Sequence, residues 1–339
     1  MNQVVMKQVT FASPWLIFLG QATDDLHAKT GHGLVDWRRE QCVGQLRFPG
    51  CAADLGIPDM TPAEAAAAGA KSLVIGVAPV GGALRPEWTA TLIDAMRAGL
   101  DLVSGMHSPL GNVPELAKVA QETGRSLVDI RKPPPGIPAA NGEKRTGKRV
   151  LMVGTDCALG KKYTALALHR EMQKRGMKAT FRATGQTGIM ISGGGMPMDA
   201  VVSDFLSGAA ELLSPNNDPD HWDVIEGQGS LFHPAYAAVT LGLIHGSQPD
   251  AMVLCHQAGR TTIIDYPDYP IPGLKECIRR YEEAAQLTNR AARVIGLSIN
   301  TSELDEAGRK KVLAEVSRET GLPAVDPIAT GVGALIERL

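Results

Sequence analysis

Residues 149–164 read RVLMVGTDCALGKKYT: a short apolar run, a loop bounded by glycines, and two lysines where a helical pattern begins. Such a run constrains the fold around it. A buried strand must end where a helix starts, and the loop's backbone N–H groups must converge on an anion. The glycines permit the turn, the helix N-terminus adds its partial positive charge, and Lys161 reaches an outer phosphate oxygen. The plainer alternative is a glycine-rich turn carrying an exposed lysine. Position, glycine spacing and the lysine together favour phosphate. The chain is therefore expected to bind a small molecule carrying a pyrophosphate or triphosphate, on Gly154, Thr155, Asp156, Gly160, Lys161, Lys162 and Tyr163.

The loop departs from GxxxxGK[ST] in two ways. Gly154 stands one residue farther from Gly160, and the Ser/Thr that should hold Mg²⁺ is Lys162. An ammonium cannot ligate Mg²⁺ and repels it, whereas two adjacent lysines neutralise phosphates directly. Thr164 lies about 200° around the helix from Lys162 and is a poor replacement. A pyrophosphate carried without a metal fits this loop. Coenzyme A has one, with an extra ribose phosphate, and ATP as a phosphoryl donor fits less well. We expect acetyl-CoA as co-substrate and no metal, with ATP-Mg²⁺ as the alternative.

Residues 131–148, RKPPPGIPAANGEKRTGK, hold four prolines and then a charged stretch without periodicity, which marks a linker or arm. Strand-like and helix-like runs alternate on both sides. Before it, strands are expected at 15–20, 72–78, 100–104 and 127–130, and helices at 86–98 and 113–123, the last closed by Gly124. After it, strands are expected at 149–153, 179–182, 223–225, 251–255, 294–299 and 324–325, with helices at 161–175, 199–213, 274–287 and 303–320. The alternation implies an α/β chain with two parallel sheets: a Rossmann-like domain over 1–132, a linker over 133–148 and a P-loop domain over 149–339. Phe11–Leu19 is apolar enough to pass for a secretory core. It is too short to span a bilayer and Pro14 interrupts it, so a buried strand is expected.

Net charge is −2 with no long basic block, which argues against nucleic-acid and membrane partners. Five cysteines without CxxC spacing argue against a disulfide framework or zinc cluster and point to a cytoplasmic protein. A homo-oligomer is expected. Val80–Leu84, VGGAL, lacks the GxGxxG pattern, so a dinucleotide site is not expected there.

Further candidates follow strands. Glu226, in WDVIEGQGS, suits Mg²⁺ binding through water or proton abstraction, and equally a structural pairing with Lys161. His256 is a second candidate base. Arg182 opens RATGQTGIMISGGG, whose five glycines suggest a loop outside the core, switch-like or simply exposed. Arg182, Arg260 and Lys29 are candidates for gripping carboxylates, although Arg260, as a lone residue, is slightly more often a structural ion-pair partner. Asn300 suits a purine edge or a helix cap. His27 and His107 also lie near strand ends and read more simply as satisfied polar residues.

The second half resembles the dethiobiotin synthetase and cobyrinic acid synthase group, whose long loop GTDxxxGKT is matched by Gly154, Thr155, Asp156, Gly160 and Lys161. Their acidic strand is similar to VIEGQGS around Glu226, and their base-contacting Asn falls near Asn300. Lys162 stands where they have Thr. Taken whole, through GTDCALGKKYT, ATGQTG, the GGG loop, IEGQGSLFHP and DLVSGMHS, the chain resembles the D-glutamate N-acetyltransferase family, whose sequences were often labelled NAD-dependent epimerase/dehydratases. That resemblance implies acetyl transfer from acetyl-CoA to the amine of D-glutamate, in D-amino-acid catabolism. The competing expectations are an ATP/Mg²⁺-dependent ligase or kinase and a non-catalytic nucleotide or CoA sensor. A nicotinamide oxidoreductase is disfavoured without a GxGxxG motif.

Overall fold

The computed structural model describes residues 11–25, 27–78 and 82–339, so Leu26 of the DLHAKT segment and Val80 and Gly81 of VGGAL lie outside the described residues. The chain forms two compact units. The first is made of residues 11–133 together with Gln186–Ala200, and the second of Pro134–Gly185 and Val201–Leu339.

The first unit alternates β1 (Trp15–Gly20), α1 (Lys29–Arg38), β2 (Cys42–Arg47), α2 (Pro62–Ala67), β3 (Ser72–Ile75), α3 (Thr89–Arg97), β4 (Asp101–Ser104), α4 (Pro114–Thr123) and β5 (Leu127–Asp129). Its five strands lie in the order β2-β1-β3-β4-β5, every pairing parallel. This doubly wound order reverses direction between β1 and β3. All six residues of β1 are buried, as helices on both faces of a parallel sheet require. The apolar run near the N-terminus is therefore this strand. Thr61 and Glu64 form a reciprocal cap on α2, and Gly124, at φ 67°, closes α4 in the left-handed conformation a side chain would resist.

Beyond the prolines the chain builds β6 (Lys148–Gly154), α5 (Lys161–Lys174) and β7 (Ala179–Arg182) in the second unit, then α6 (Gln186–Ser192) in the first. The second unit continues with α7 (Leu206–Leu213), β8 (Trp222–Ile225), α8 (Ala237–Ser247), β9 (Ala251–Gln257), a hairpin of β10 (Thr262–Ile263) and β11 (Tyr266–Pro270), and α9 (Leu274–Gln286). It ends with β12 (Arg293–Asn300), α10 (Glu306–Thr320), β13 (Ala324–Val325) and α11 (Gly333–Ile336). Its six-stranded sheet runs β13-β12-β9-β6-β8-β7, again entirely parallel. Among the described residues, no helix is long and apolar enough to cross a membrane.

Three expectations need correction. The glycine-rich segment after Arg182 is not outside the core: Gln186–Ile191 are buried in α6, where Gln186 Nε2 donates to Thr30 Oγ1 at 3.2 Å and Thr187 Oγ1 lies 3.1 Å from the same hydroxyl. The helix expected over 199–213 begins only at Leu206, since residues to Ala200 belong to the first unit and two short 3₁₀ turns precede α7. The helix expected from 303 starts at Glu306, because Asp305 Oδ1 accepts Gly308 N–H at 2.7 Å and fixes the cap there. The end of the proline-rich arm is tied down as well: Arg145 donates to the carbonyls of Ser214 and Gly246, each at 2.6 Å.

Candidate phosphate site at the end of the second sheet

β6 is central in its sheet, flanked by β8 and β9, so the chain segments leaving all three strands meet at one edge. The loop after β6 turns into α5 at Gly160, whose φ of 102° explains the glycine. Among the described residues, no side chain caps the first turn of α5, and its N–H groups suit an anion.

The loop is held from inside. Gly154 O accepts Tyr281 Oη–H at 2.6 Å and Ser230 Oγ–H at 2.8 Å. Thr155 Oγ1 lies 2.8 Å from His256 Nδ1. Asp156 is fully buried; Oδ1 accepts Cys157 N–H at 2.6 Å, and Oδ2 accepts Arg260 Nη1 at 3.1 Å and Ile264 N–H at 2.8 Å. Asp156, Cys157 and His233 bring metal-capable atoms within 4.8 Å of one another, but the carboxylate in that set is already engaged by these donors.

Lys161 is 7% exposed, and its Nζ donates to Asp156 O at 2.7 Å. A Cβ at Gly154 would come 3.1 Å from that Nζ, and one at Gly227 would come 1.7 Å from Met152 O, so both glycines make room for the lysine and its strand. Lys162 is half-buried, its Nζ 5.0 Å from the centre of the Tyr163 ring. Thr164 turns away from the loop to Gly160 O and Ser298 Oγ, as its helical position requires.

Glu226, one residue past β8, is buried, with Oε2 accepting the N–H groups of Thr184 at 2.9 Å and Gly185 at 3.1 Å. Burial pushes its carboxyl above the usual range, against the pull of those two N–H groups and of Lys162 and Lys161. His256 is held down to about 4, first by burial and then by Arg260. Its neutral form belongs to the folded chain, whereas the unfolded chain takes the proton near about 6.5. Its contribution to stability is therefore complete above that pH and is lost on acidification towards 4. His256→Asn should flatten the acid side of the melting-temperature profile, by up to about 1.4 kcal/mol per pH unit. Superimposable profiles for mutant and wild type would contradict this.

The candidates for carboxylate binding fare differently. Arg182 Nε donates to the buried Asp223 at 2.7 Å, and Arg260 builds the loop through Asp156, Cys157 O at 2.8 Å and Gln257. Both charges are spent on structure. Lys29 is exposed at the first residue of α1, in the other unit. Asn300 Oδ1 accepts Ser302 N–H at 3.0 Å, which makes it a turn cap. Sequence reasoning missed Ser230, His233 and Tyr281. The first two lie in the quoted IEGQGSLFHP run, while Tyr281, on α9, carries no local signal.

A P-loop unit on a parallel sheet, joined in one chain to a Rossmann-like unit, is the class that fold and site define. Residues 138–336 match a family model described as Domain of unknown function (DUF1611_C) P-loop domain, and residues 46–133 one described as Domain of unknown function (DUF1611_N) Rossmann-like domain. The chain belongs to this family. It is 53% identical over 327 residues to a protein of Tritonibacter scottomollicae named D-glutamate N-acetyltransferase, covering 96% of this chain and 98% of that one. A Pseudoalteromonas protein of the same name is 44% identical over 326 residues, with 96% and 98% covered. The crystal structure of a DUF1611 family protein from Anabaena variabilis superposes with a TM-score of 0.88 at 37% identity, covering 96% of this chain and 99% of that one.

Proposed function

We propose that this chain is a cytoplasmic D-glutamate N-acetyltransferase that takes acetyl from acetyl-CoA and holds the CoA pyrophosphate on its P-loop without a metal. The observation that carries the reading is the start of α5: an uncapped helical turn, Lys161 inside the loop and Lys162 where a metal-binding hydroxyl would stand. Full-length similarity to two proteins named for this activity supports it.

The pantetheine arm separates the pyrophosphate from the thioester, so a group that touches the loop does not also touch the amine. Glu226 and His256 both touch the phosphate end, through the Thr184–Gly185 turn and Thr155. We assign them to shaping that end, and the base that frees the glutamate amine to groups away from it. Only the unprotonated amine attacks the thioester, so such a base is required.

Acetyl-CoA should raise the melting temperature in EDTA as much as in Mg²⁺. At about 100 times Kd the stabilisation is roughly 2.7 kcal/mol. Lys162→Thr should then raise KM for acetyl-CoA more than it lowers kcat, because the lost cation lies far from the thioester. A shift seen with ATP-Mg²⁺ alone, and none with acetyl-CoA, would favour the ligase or kinase instead. Acetyl-CoA binding without acetylation of D-glutamate would favour a sensor.

A further inference from the structure

The chain has five tyrosines, and all of them stand on segments that form or hold the P-loop, within the second unit. Tyr163 is on the first turn of α5, and Tyr281 holds Gly154 O. The other three gather around His233. That ring is 2% exposed, and one of its nitrogens lies within 4.8 Å of an Asp156 carboxylate oxygen and of Cys157 Sγ. The Tyr236 ring is 4.5 Å from it and tilted by 33°, while Tyr266 meets it edge-on at 5.2 Å. Tyr269 meets Tyr266 edge-on at 5.9 Å. The tyrosine group therefore begins one imidazole away from the loop.

The backbone holds these rings in place. His233 Nδ1 accepts Ala235 N–H at 3.1 Å, which fixes the imidazole. A Cβ at Gly229 would come 2.2 Å from Tyr236 O, and Thr240 Oγ1 donates to Gln228 O at 2.6 Å, so Tyr236 is seated on the turn that follows Glu226. β11 carries Tyr266 and Tyr269, each followed by a proline whose ring fixes φ, and Ile264 N–H ties the hairpin to Asp156 Oδ2 at 2.8 Å. Tyr236 and Tyr269 nevertheless remain 54% and 49% exposed. Rings held this firmly and left open to solvent offer a stacking surface at little entropic cost.

We propose that this tyrosine group is the base platform of the donor site, where the adenine of acetyl-CoA stacks, chiefly on Tyr236, while its pyrophosphate lies on the P-loop. The inference rests on the reading of the loop as the acetyl-CoA site. A nucleotide holds its base one ribose away from its phosphates, which suits rings that begin one imidazole from Asp156. Of the two exposed rings, Tyr236 touches His233 directly and Tyr269 is separated from it by Tyr266. The exposed carboxylates of Asp265 and Asp268 on the hairpin repel phosphate, so the platform fits the uncharged end of the nucleotide. Stacking of a base on an aromatic side chain needs the ring and not the hydroxyl.

The test is isothermal titration of the full chain with acetyl-CoA, ADP and inorganic pyrophosphate. Wild type should bind all three, with pyrophosphate competing against acetyl-CoA. Tyr236→Ala should weaken acetyl-CoA and ADP about 10- to 100-fold and leave pyrophosphate, which has no base, within about twofold. Tyr236→Phe keeps the ring and should bind all three within about twofold of wild type. Tyr269→Ala, at the ring farther from His233, should weaken acetyl-CoA less than Tyr236→Ala does, and it keeps the test usable if the Tyr236 variants unfold. Equal losses of pyrophosphate and acetyl-CoA in Tyr236→Ala would show that the ring only props the loop. Unchanged acetyl-CoA affinity in both alanine variants would show that no base stacks there. Either result overturns the platform and leaves the P-loop reading standing. A wild-type chain that binds acetyl-CoA without competition from pyrophosphate would overturn the placing of the donor on the P-loop, and the platform with it.

Discussion

Lys161→Met should weaken acetyl-CoA binding about 10- to 100-fold, the effect expected from losing a charge-assisted bond to phosphate. Methionine is the informative replacement, because the stem of Lys161 is buried and alanine would add a cavity to the lost charge. The ligand-free chain should also melt earlier, since Asp156 O loses the ammonium that satisfies it at 2.7 Å. An unsatisfied buried carbonyl costs about 1–3 kcal/mol. Isothermal titration separates the two effects. If acetyl-CoA affinity is unchanged while the melt falls, Lys161 is a structural strut and the loop does not hold the donor.

Gly227→Ala should be the most damaging single methyl in the site. The added Cβ would lie 1.7 Å from Met152 O and 3.0 Å from Lys161 Cδ, so a central strand or its neighbour must move. Neither yields cheaply, and a loss above about 4 kcal/mol is expected, enough to prevent folding in many domains. Gly273→Ala is the control within the same unit, since nothing lies within 4 Å of its added Cβ. Denaturant melts of the two variants settle the matter. Equal midpoints would mean that the Gly227 turn relaxes freely.

What could be read from the sequence was what local chemistry decides. The P-loop was legible because its turn, helix start and lysine are contiguous. The buried strands were legible because helix-covered parallel strands must be apolar. The hidden parts depend on partners far along the chain. Whether Arg182 and Arg260 grip substrate or serve as structural ion-pair partners was decided only by Asp223 and Asp156, 41 and 104 residues away. The run after Arg182 looks too polar and glycine-rich for a core, and only Thr30, 156 residues from Gln186, gives it somewhere to be buried. Asn300 offered either a purine contact or a cap, and the cap, a contact only two residues away, is the one the structure makes.

The insertion of Gln186–Ala200 into the first unit also sets an order on biosynthesis. A nascent chain emerging from the ribosome cannot complete the first unit once residue 133 is out, because α6 is still untranslated. At about 5–20 residues per second, the wait is on the order of several seconds. During it the surface that will receive α6, around Thr30, stands open to solvent and to chaperones. Neither half is a contiguous cassette: a gene cut within 133–148 would deprive the first product of α6 and leave the second carrying it without its seat.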